Sequence, residues 1–459
     1  MRLSQATLDR LSPATARFSY DREMQAVGIV HLGIGAFHRA HQAWYTDAAM
    51  DSGCRGWMIT GVSFRSNAAA AALNPQDGLF TVAERSGDGT FHRLTGSVRN
   101  VLPSARAKTQ APGLMVSSST RIVSLTITEK GYCRLPDGSL DQVRAVEPTS
   151  IYPVLIEGLR RRRQANLGGL TLLSCDNLAG NGAQFARLIA DYCEHHDADL
   201  GRWIAAECSF PSSMVDRIVP ATTSVDLMGI ERDLGLRDAA AVVTEPFSQW
   251  VIEDRFAAGR PAWQKVGVEL VEDVAPYEAA KLRMLNGAHS ALAYLGLAHG
   301  HTFVDQAMAD LAIRPVVEQL MRHEARDSLT PAPSQDLEAY ADLLLARFAN
   351  PAMRHRLAQI AMDGSQKIPQ RWLETLAHHQ RAGRRCPAIL TALAAWLAHI
   401  RGDNGPVDDP MAEVLAVAWA RSGVAGIVPA LFGAGGAISS VWLPTEEDRQ
   451  FVAARIGSL

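Results

Sequence analysis

One short stretch, Tyr277-Glu-Ala-Ala-Lys281-Leu-Arg-Met-Leu-Asn286-Gly-Ala-His289, holds residue types that can move a proton on or off an alcohol or carbonyl oxygen. At about 100° per residue of α-helix, Glu278, Asn286 and His289 fall about 60°, 140° and 80° from Lys281, so the four share one broad face. A lysine partly desolvated there has its pKa pulled down towards neutrality and can act as general acid or base. An asparagine amide offers an uncharged donor to a developing alkoxide, and a histidine can hydrogen-bond a neighbouring hydroxyl. The same spacing also fits an ordinary solvated helix face.

A second candidate lies near the N-terminus. The apolar run Val27-Gly-Ile-Val-His-Leu32 stops at Gly33-Ile-Gly35-Ala-Phe-His38 and continues from Gln42 with helical texture, which reads as strand, glycine turn, helix. Gly33 and Gly35 match the first two glycines of a dinucleotide fingerprint, one for the tight turn and one for close approach of a pyrophosphate; His38 takes the third position. Gly33, Gly35, Ala36, Phe37 and His38 are therefore candidate cofactor contacts. A second strand-like run, Trp57-Met-Ile-Thr-Gly-Val-Ser63, follows at βαβ distance. Where an acidic ribose-binding residue is expected after it, the chain has Arg65 and Ser66. Arg65 suits the 2′-phosphate of NADP, or stacking on adenine with NAD held by Ser66 or Asn67, so both cofactors stay open.

The elements that must position these groups fall into two classes. The apolar runs Arg121-Ile-Val-Ser-Leu-Thr-Ile-Thr128 and Leu170-Thr-Leu-Leu-Ser-Cys175 end in Glu129 and Asp176-Asn177, as covered parallel strands do when they carry functional groups at their ends. Beyond about residue 276, segments 277–297, 336–349, 353–362 and 388–400 repeat apolar residues at helical period. The expectation is an α/β Rossmann-type dinucleotide-binding domain over 1–275 and a predominantly α-helical substrate and catalytic domain over 276–459, with the active site in the cleft between them.

Composition limits the partners. The 459 residues are 47% hydrophobic and 20% charged with a formal net charge of −3, which excludes a disordered chain and lacks the electrostatic footprint of a nucleic-acid binder. Six scattered cysteines show no CxxC spacing, so free thiols, a reducing cytoplasm and no cysteine metal site are expected. The uncharged run 422–444 is interrupted by five glycines and Pro429 and is expected to be a Gly-rich core turn rather than a membrane span.

With these residues in view, the sequence resembles the long-chain, metal-independent mannitol dehydrogenase family of polyol dehydrogenases and hexuronate reductases. The resemblance rests on His31-Leu-Gly-Ile-Gly-Ala-Phe-His-Arg-Ala-His-Gln42, Ser124-Leu-Thr-Ile-Thr-Glu-Lys-Gly-Tyr-Cys133, Ser174-Cys-Asp-Asn177 and Phe210-Pro-Ser-Ser-Met-Val-Asp-Arg-Ile-Val-Pro220. It continues through Glu245-Pro-Phe-Ser-Gln-Trp-Val-Ile-Glu-Asp254, the 281–289 segment, Arg347-Phe-Ala-Asn-Pro351 and Asp363-Gly-Ser-Gln-Lys-Ile-Pro-Gln-Arg371. The resemblance implies that Lys281 is the general acid/base, that Asn177 and Asn286 form an oxyanion hole, and that His289 holds a substrate oxygen. It further implies substrate contacts from Asp216 and Lys367, proton transfer between Lys281 and solvent through Glu278, NAD as hydride carrier and no metal. Within the family the hexuronate reductases are the nearer branch. Gln359 stands where mannitol-oxidising members carry arginine, and Arg371 stands where they have none; arginine is the side chain best shaped to clamp a carboxylate. Lys367 and Arg371, four apart, are expected to share a helix face near that carboxylate. A polyol dehydrogenase acting on mannitol or arabinitol, a reductase of D-tagaturonate and a catalytically silent dinucleotide sensor are the alternatives. The expected partner is a small sugar acid or polyol, with no nucleic acid, membrane or protein partner.

Overall fold

The computed structural model describes residues 1–458. Its strands, in chain order, are β1 (Val27–Leu32), β2 (Met58–Val62), β3 (Phe80–Ser86), β4 (Gly89–Thr95), β5 (Val98–Leu102), β6 (Ile122–Leu125), β7 (Thr171–Ser174), β8 (Ser213–Asp216), β9 (Val242–Thr244), β10 (Gln249–Glu253) and β11 (Glu269–Val271). Apolar runs such as β1, β2, β6 and β7 are buried along almost their whole length and must satisfy their N–H and C=O groups on both edges. They do so in a five-stranded sheet of order β5-β2-β1-β6-β7 in which every pair is parallel, the outer edge of β7 bonding Ser209 instead of a further strand. The chain winds outward from β1 to β2 and β5, then returns to the other side for β6 and β7. The reversal between β1 and β6 is the topological switch point at which doubly wound sheets take their ligands.

Two small sheets accompany it, β11-β10-β8 and β4-β3-β9. Neither was expected from the sequence: β9 and β11, three residues each, are too short to show an alternation, while the seven-residue hairpin strands β3 and β4 were overlooked.

The chain divides into two compact units, Met1–Ala275 and the part from Pro276 onward. The second is helical throughout its named elements. At its centre lies the helix Gly287–Ala298, buried continuously from 287 to 296, packed against Pro387–Arg401, which is buried on nearly all sides. A helix apolar all round belongs in a core, and these two supply it.

Two expectations are corrected here. Of 353–362, only Leu357–Ala361 is helical; Arg354 has φ +41° and Arg356 bridges to Phe303 in extended backbone. The run 422–444 is not simply a turn, because its first part completes the helix Ala412–Phe432. That helix is long and apolar enough to cross a membrane by length and composition alone. Gly423 breaks it at φ +57° and ψ −171°, Pro429 lies inside it, and Leu415, Trp419, Ile427, Val428, Leu431 and Phe432 are buried in the core of the helical unit.

Candidate active site

In the N-terminal unit the glycine loop leaves the end of β1. Gly33 has φ +92°, and a Cβ there would stand 2.3 Å from the Thr126 carbonyl oxygen, so only glycine permits this turn. Gly35 is extended (φ −117°, ψ −168°) and precedes the helix Ala36–Ala40. A Cβ on Gly35 would meet nothing closer than the Gly33 carbonyl oxygen at 3.9 Å. A turn closed behind and open in front is what a pyrophosphate needs, so these residues fit a dinucleotide. Ala36 and Phe37 are half-buried at the start of the helix.

His38 is placed differently from its expected role. Its ring is fully buried and stacks on His31 of β1, with centroids 3.5 Å apart and planes 19° apart. It fills the helix-to-strand contact that a third glycine would have kept narrow, so its side chain packs against the sheet rather than at the loop surface. Burial holds both imidazoles neutral: it pulls His31 down to about 3 and His38 well below its ordinary value. His31 in turn bonds Ser124 Oγ (2.8 Å) and Thr126 Oγ1 (2.9 Å), and the Thr126 hydroxyl donates to the Gly33 carbonyl at 2.8 Å. The loop is thereby tied to the ends of β1 and β6.

After β2, Arg65 and Ser66 are exposed. Ser66 Oγ accepts the Ala68 N–H, and Asn67 Oδ1 accepts both the N–H and the hydroxyl of Ser104 at 2.9 Å. The Asn67 carbonyl is thus committed to the fold, leaving Arg65 and Ser66 as the groups presented at this edge.

Asn177 is exposed on the loop that follows β7, and its neighbour fixes that loop. The Asp176 carboxylate accepts the N–H groups of Ile127 and Thr128 (3.0 Å each) and the Tyr132 hydroxyl (2.8 Å), while burial raises its pKa. Asn181 Nδ2 donates to the Asp176 and Ser213 carbonyls, and its Oδ1 accepts the Ser213 N–H. Asp216 closes β8, is 5% exposed and lies opposite Gln249 of β10. The adjacent Arg217 anchors this strand end by donating to the Ala40 and Glu245 carbonyls and to the Glu84 carboxylate.

The helix Ala275–Ala280 runs into a π-helical turn, Lys281–Asn286, and on into Gly287–Ala298 of the C-terminal unit without leaving helical dihedrals. This corrects the angular spacing taken from an α-helix. With i→i+5 hydrogen bonding the rotation per residue is smaller, so Asn286 moves towards the azimuth of Lys281 instead of standing about 140° from it. Glu278, Lys281 and Asn286 are half-buried.

Two further π turns, Leu320–Ala325 and Pro369–Leu373, pack against this one. A switch from α to π hydrogen bonding leaves carbonyls in need of donors. Arg371 supplies one: its Nη1 donates to the Asn286 carbonyl (3.2 Å) and to Ser290 Oγ (2.7 Å), and Trp372 Nε1 donates to the Gly287 carbonyl (3.1 Å). Arg371 is therefore not a solvated helix residue. Burial lowers its pKa to about 10, which still leaves it cationic at neutral pH.

Lys367 lies on the short helix Gly364–Ile368 and donates to the Met362 carbonyl, with the Asp363 carboxylate 4.0 Å away. The π turn beginning at Pro369 separates it from Arg371, so the two do not share the regular α-helical face their spacing suggested. A Cβ on Gly364 would come within 2.4 Å of Trp396 Nε1 and 2.6 Å of the Tyr294 hydroxyl, which seats this segment against the core.

His289 is 8% exposed and packs against Phe348 and His355. Burial first, and then the nearby His355, Arg347 and Arg371, push its pKa well below the ordinary value, so it is a neutral imidazole. Its Nε2 is buried without a hydrogen-bond partner, a cost that a ligand hydroxyl would relieve. The structure thus brings Asn286, Ser290 and Arg371 into one hydrogen-bonded group, with His289 on the next turn. Sequence reasoning placed Asp176 at a functional strand end without a role and missed His31, Asn181 and Arg217, all positioning residues; the available signal was a polar side chain inside or at the end of an apolar strand.

Comparison with known proteins agrees with this architecture. The mannitol dehydrogenase Rossmann domain matches residues 27–265 and the mannitol dehydrogenase C-terminal domain matches 273–424. The chain is 43% identical over 423 residues to the uncharacterized oxidoreductase YeiQ of Escherichia coli (strain K12), covering 86% of both chains. It is 40% identical over 417 residues to the D-mannonate oxidoreductase of the same organism, covering 87% of this chain and 86% of that one. Among solved structures, the Pseudomonas fluorescens mannitol 2-dehydrogenase ternary complex with NAD and D-mannitol superimposes with a TM-score of 0.85 at 36% identity, over 100% of this chain and 97% of that one. Matched in both units, in order and at this identity, the chain belongs to the mannitol dehydrogenase family of oxidoreductases.

Proposed function

We propose that the protein is an NAD-dependent hexuronate reductase that interconverts D-fructuronate and D-mannonate. The observation that carries this reading is Arg371, a half-buried cation fixed to the Asn286 carbonyl and Ser290 beside the Lys281–Asn286 turn. A uronate presents a carboxylate that a polyol lacks, and a guanidinium already held in place can meet it at little ordering cost. Likeness to a D-mannonate oxidoreductase at 40% identity supports the same substrate class.

In this reading the N-terminal unit holds the dinucleotide at Gly33, Gly35, Ala36 and Phe37, with Arg65 and Ser66 at its adenosine end. The nicotinamide, when bound, gives or receives the hydride. Lys281 donates the proton to the ketone oxygen during reduction and takes it from the alcohol during oxidation, exchanging it with solvent through Glu278. Asn177 and Asn286 donate to the oxygen as negative charge develops. His289, neutral and with Nε2 unpaired, bonds an adjacent hydroxyl, and Asp216 and Lys367 hold the remaining substrate oxygens.

The test is the split between substrates in Arg371→Ala. KM for D-fructuronate rises at least about tenfold, the value of one lost charge-assisted hydrogen bond, while activity on D-fructose changes less. An equal loss on both would make Arg371 a support for the π turn only. A second reading, a mannitol 2-dehydrogenase, draws on the likeness to the Pseudomonas fluorescens enzyme and predicts higher kcat/KM on D-fructose than on D-fructuronate.

A further inference from the structure

The helix that carries His289 ends in a motif unrelated to the active site. At its C-terminus His299 is followed by Gly300 at φ +79°, and the His301 N–H bonds the Gly296 carbonyl at 2.8 Å while the Gly300 N–H bonds that of Leu297. This left-handed helix stop turns the chain so that His299 and His301 point to a common place. The helix Val304–Ala309 then ends at Asp310, whose side chain returns to the same place. Asp310 Oδ2 lies 3.1 Å from His299 Nδ1 and 2.8 Å from His301 Nε2, and all three atoms fall within 4.8 Å of one another. The other carboxylate oxygen accepts the Ala312 N–H at 2.8 Å, which fixes the orientation of the group as an outer-shell bond does for a ligating carboxylate.

We infer that His299 Nδ1, His301 Nε2 and Asp310 Oδ2 form a binding site for one zinc-class divalent cation that clips the end of the 287–298 helix to the end of Val304–Ala309. Zinc bonds of about 2.0–2.2 Å set ligand atoms roughly 3.4 Å apart in a tetrahedron. The two nitrogen–oxygen separations, 3.1 and 2.8 Å, lie within about 0.6 Å of that, and the two nitrogens lie within 4.8 Å of each other. Two imidazoles and one carboxylate favour zinc over calcium or magnesium, and partial exposure leaves room for a water as fourth ligand. Each histidine coordinates as the neutral tautomer, keeping its proton on the other ring nitrogen. The cysteine count could not reveal this site, because it needs no thiol and its carboxylate stands nine residues beyond the histidine pair.

The test uses the full chain, stripped with chelator and titrated with Co²⁺. The expected result is one equivalent of Co²⁺ with visible absorption of a low-coordinate site, displaced by one equivalent of Zn²⁺, and a higher melting temperature with Zn²⁺ than with chelator. Asp310→Asn and the double variant H299Q/H301Q each weaken binding at least tenfold and lose the melting shift. Absence of saturable absorption in the parent overturns the inference, as does parent-like affinity in the double variant. These readouts do not involve turnover, so they stand apart from the substrate assignment.

Discussion

At the scale of single residues, Lys281 and Arg371 carry different parts of the proposal. Lys281→Ala should lower turnover by about 10²–10⁴-fold, the usual contribution of general acid–base catalysis, with NADH affinity unchanged. NADH binding by the parent without turnover on D-fructuronate, D-tagaturonate, D-fructose or D-xylulose would instead fit the silent sensor. The sequence showed the identities of these groups and, through family likeness, their roles. It did not show that Arg371 is wedged against the Asn286 carbonyl, because that contact joins residues 85 positions apart. Nor did it show that His38 is sealed against His31, since a fingerprint position describes the backbone path and not where an imidazole goes when it replaces glycine.

At the scale of elements, the loop and the π turns make separable predictions. Gly35→Ala should leave the melting temperature unchanged, since its Cβ has open space, yet reduce NADH affinity at least tenfold by crowding the pyrophosphate. Unchanged affinity would place the cofactor elsewhere. Gly33→Ala should destabilise the fold itself, because it combines a left-handed φ with a 2.3 Å contact to backbone. In the π turn Leu320–Ala325, Glu324 accepts the Ala388 and Ile389 N–H groups at 2.8 Å, and burial raises its carboxyl to about 7. The folded chain holds this proton to higher pH than the unfolded chain does. The stability it contributes is therefore full below about pH 4.5 and is lost as pH rises towards about 7, in total roughly 3 kcal/mol. The melting temperature of the parent should fall across that window relative to Glu324→Gln; parallel profiles would contradict it. None of the three π turns was legible in the sequence. Their apolar residues repeat at nearly the α period, and one wider turn changes the register without altering the composition.

At the scale of the whole molecule, the parallel sheet and the helical unit could be read from hydrophobic patterning, because covered strands run continuously apolar and apolar helices repeat near 3.6 residues. The two three-stranded sheets and the second helical segment beyond the break at Gly423 could not, since each depends on tertiary packing. The near-neutral net charge likewise conceals a local cation, Arg371, set in the helical unit. The substrate assignment rests on that cation, and one assay tests it most directly: NADH and NADPH oxidation with D-fructuronate, D-tagaturonate, D-fructose and D-xylulose. The highest kcat/KM is expected with D-fructuronate and NADH. A preference for either neutral ketose would contradict it.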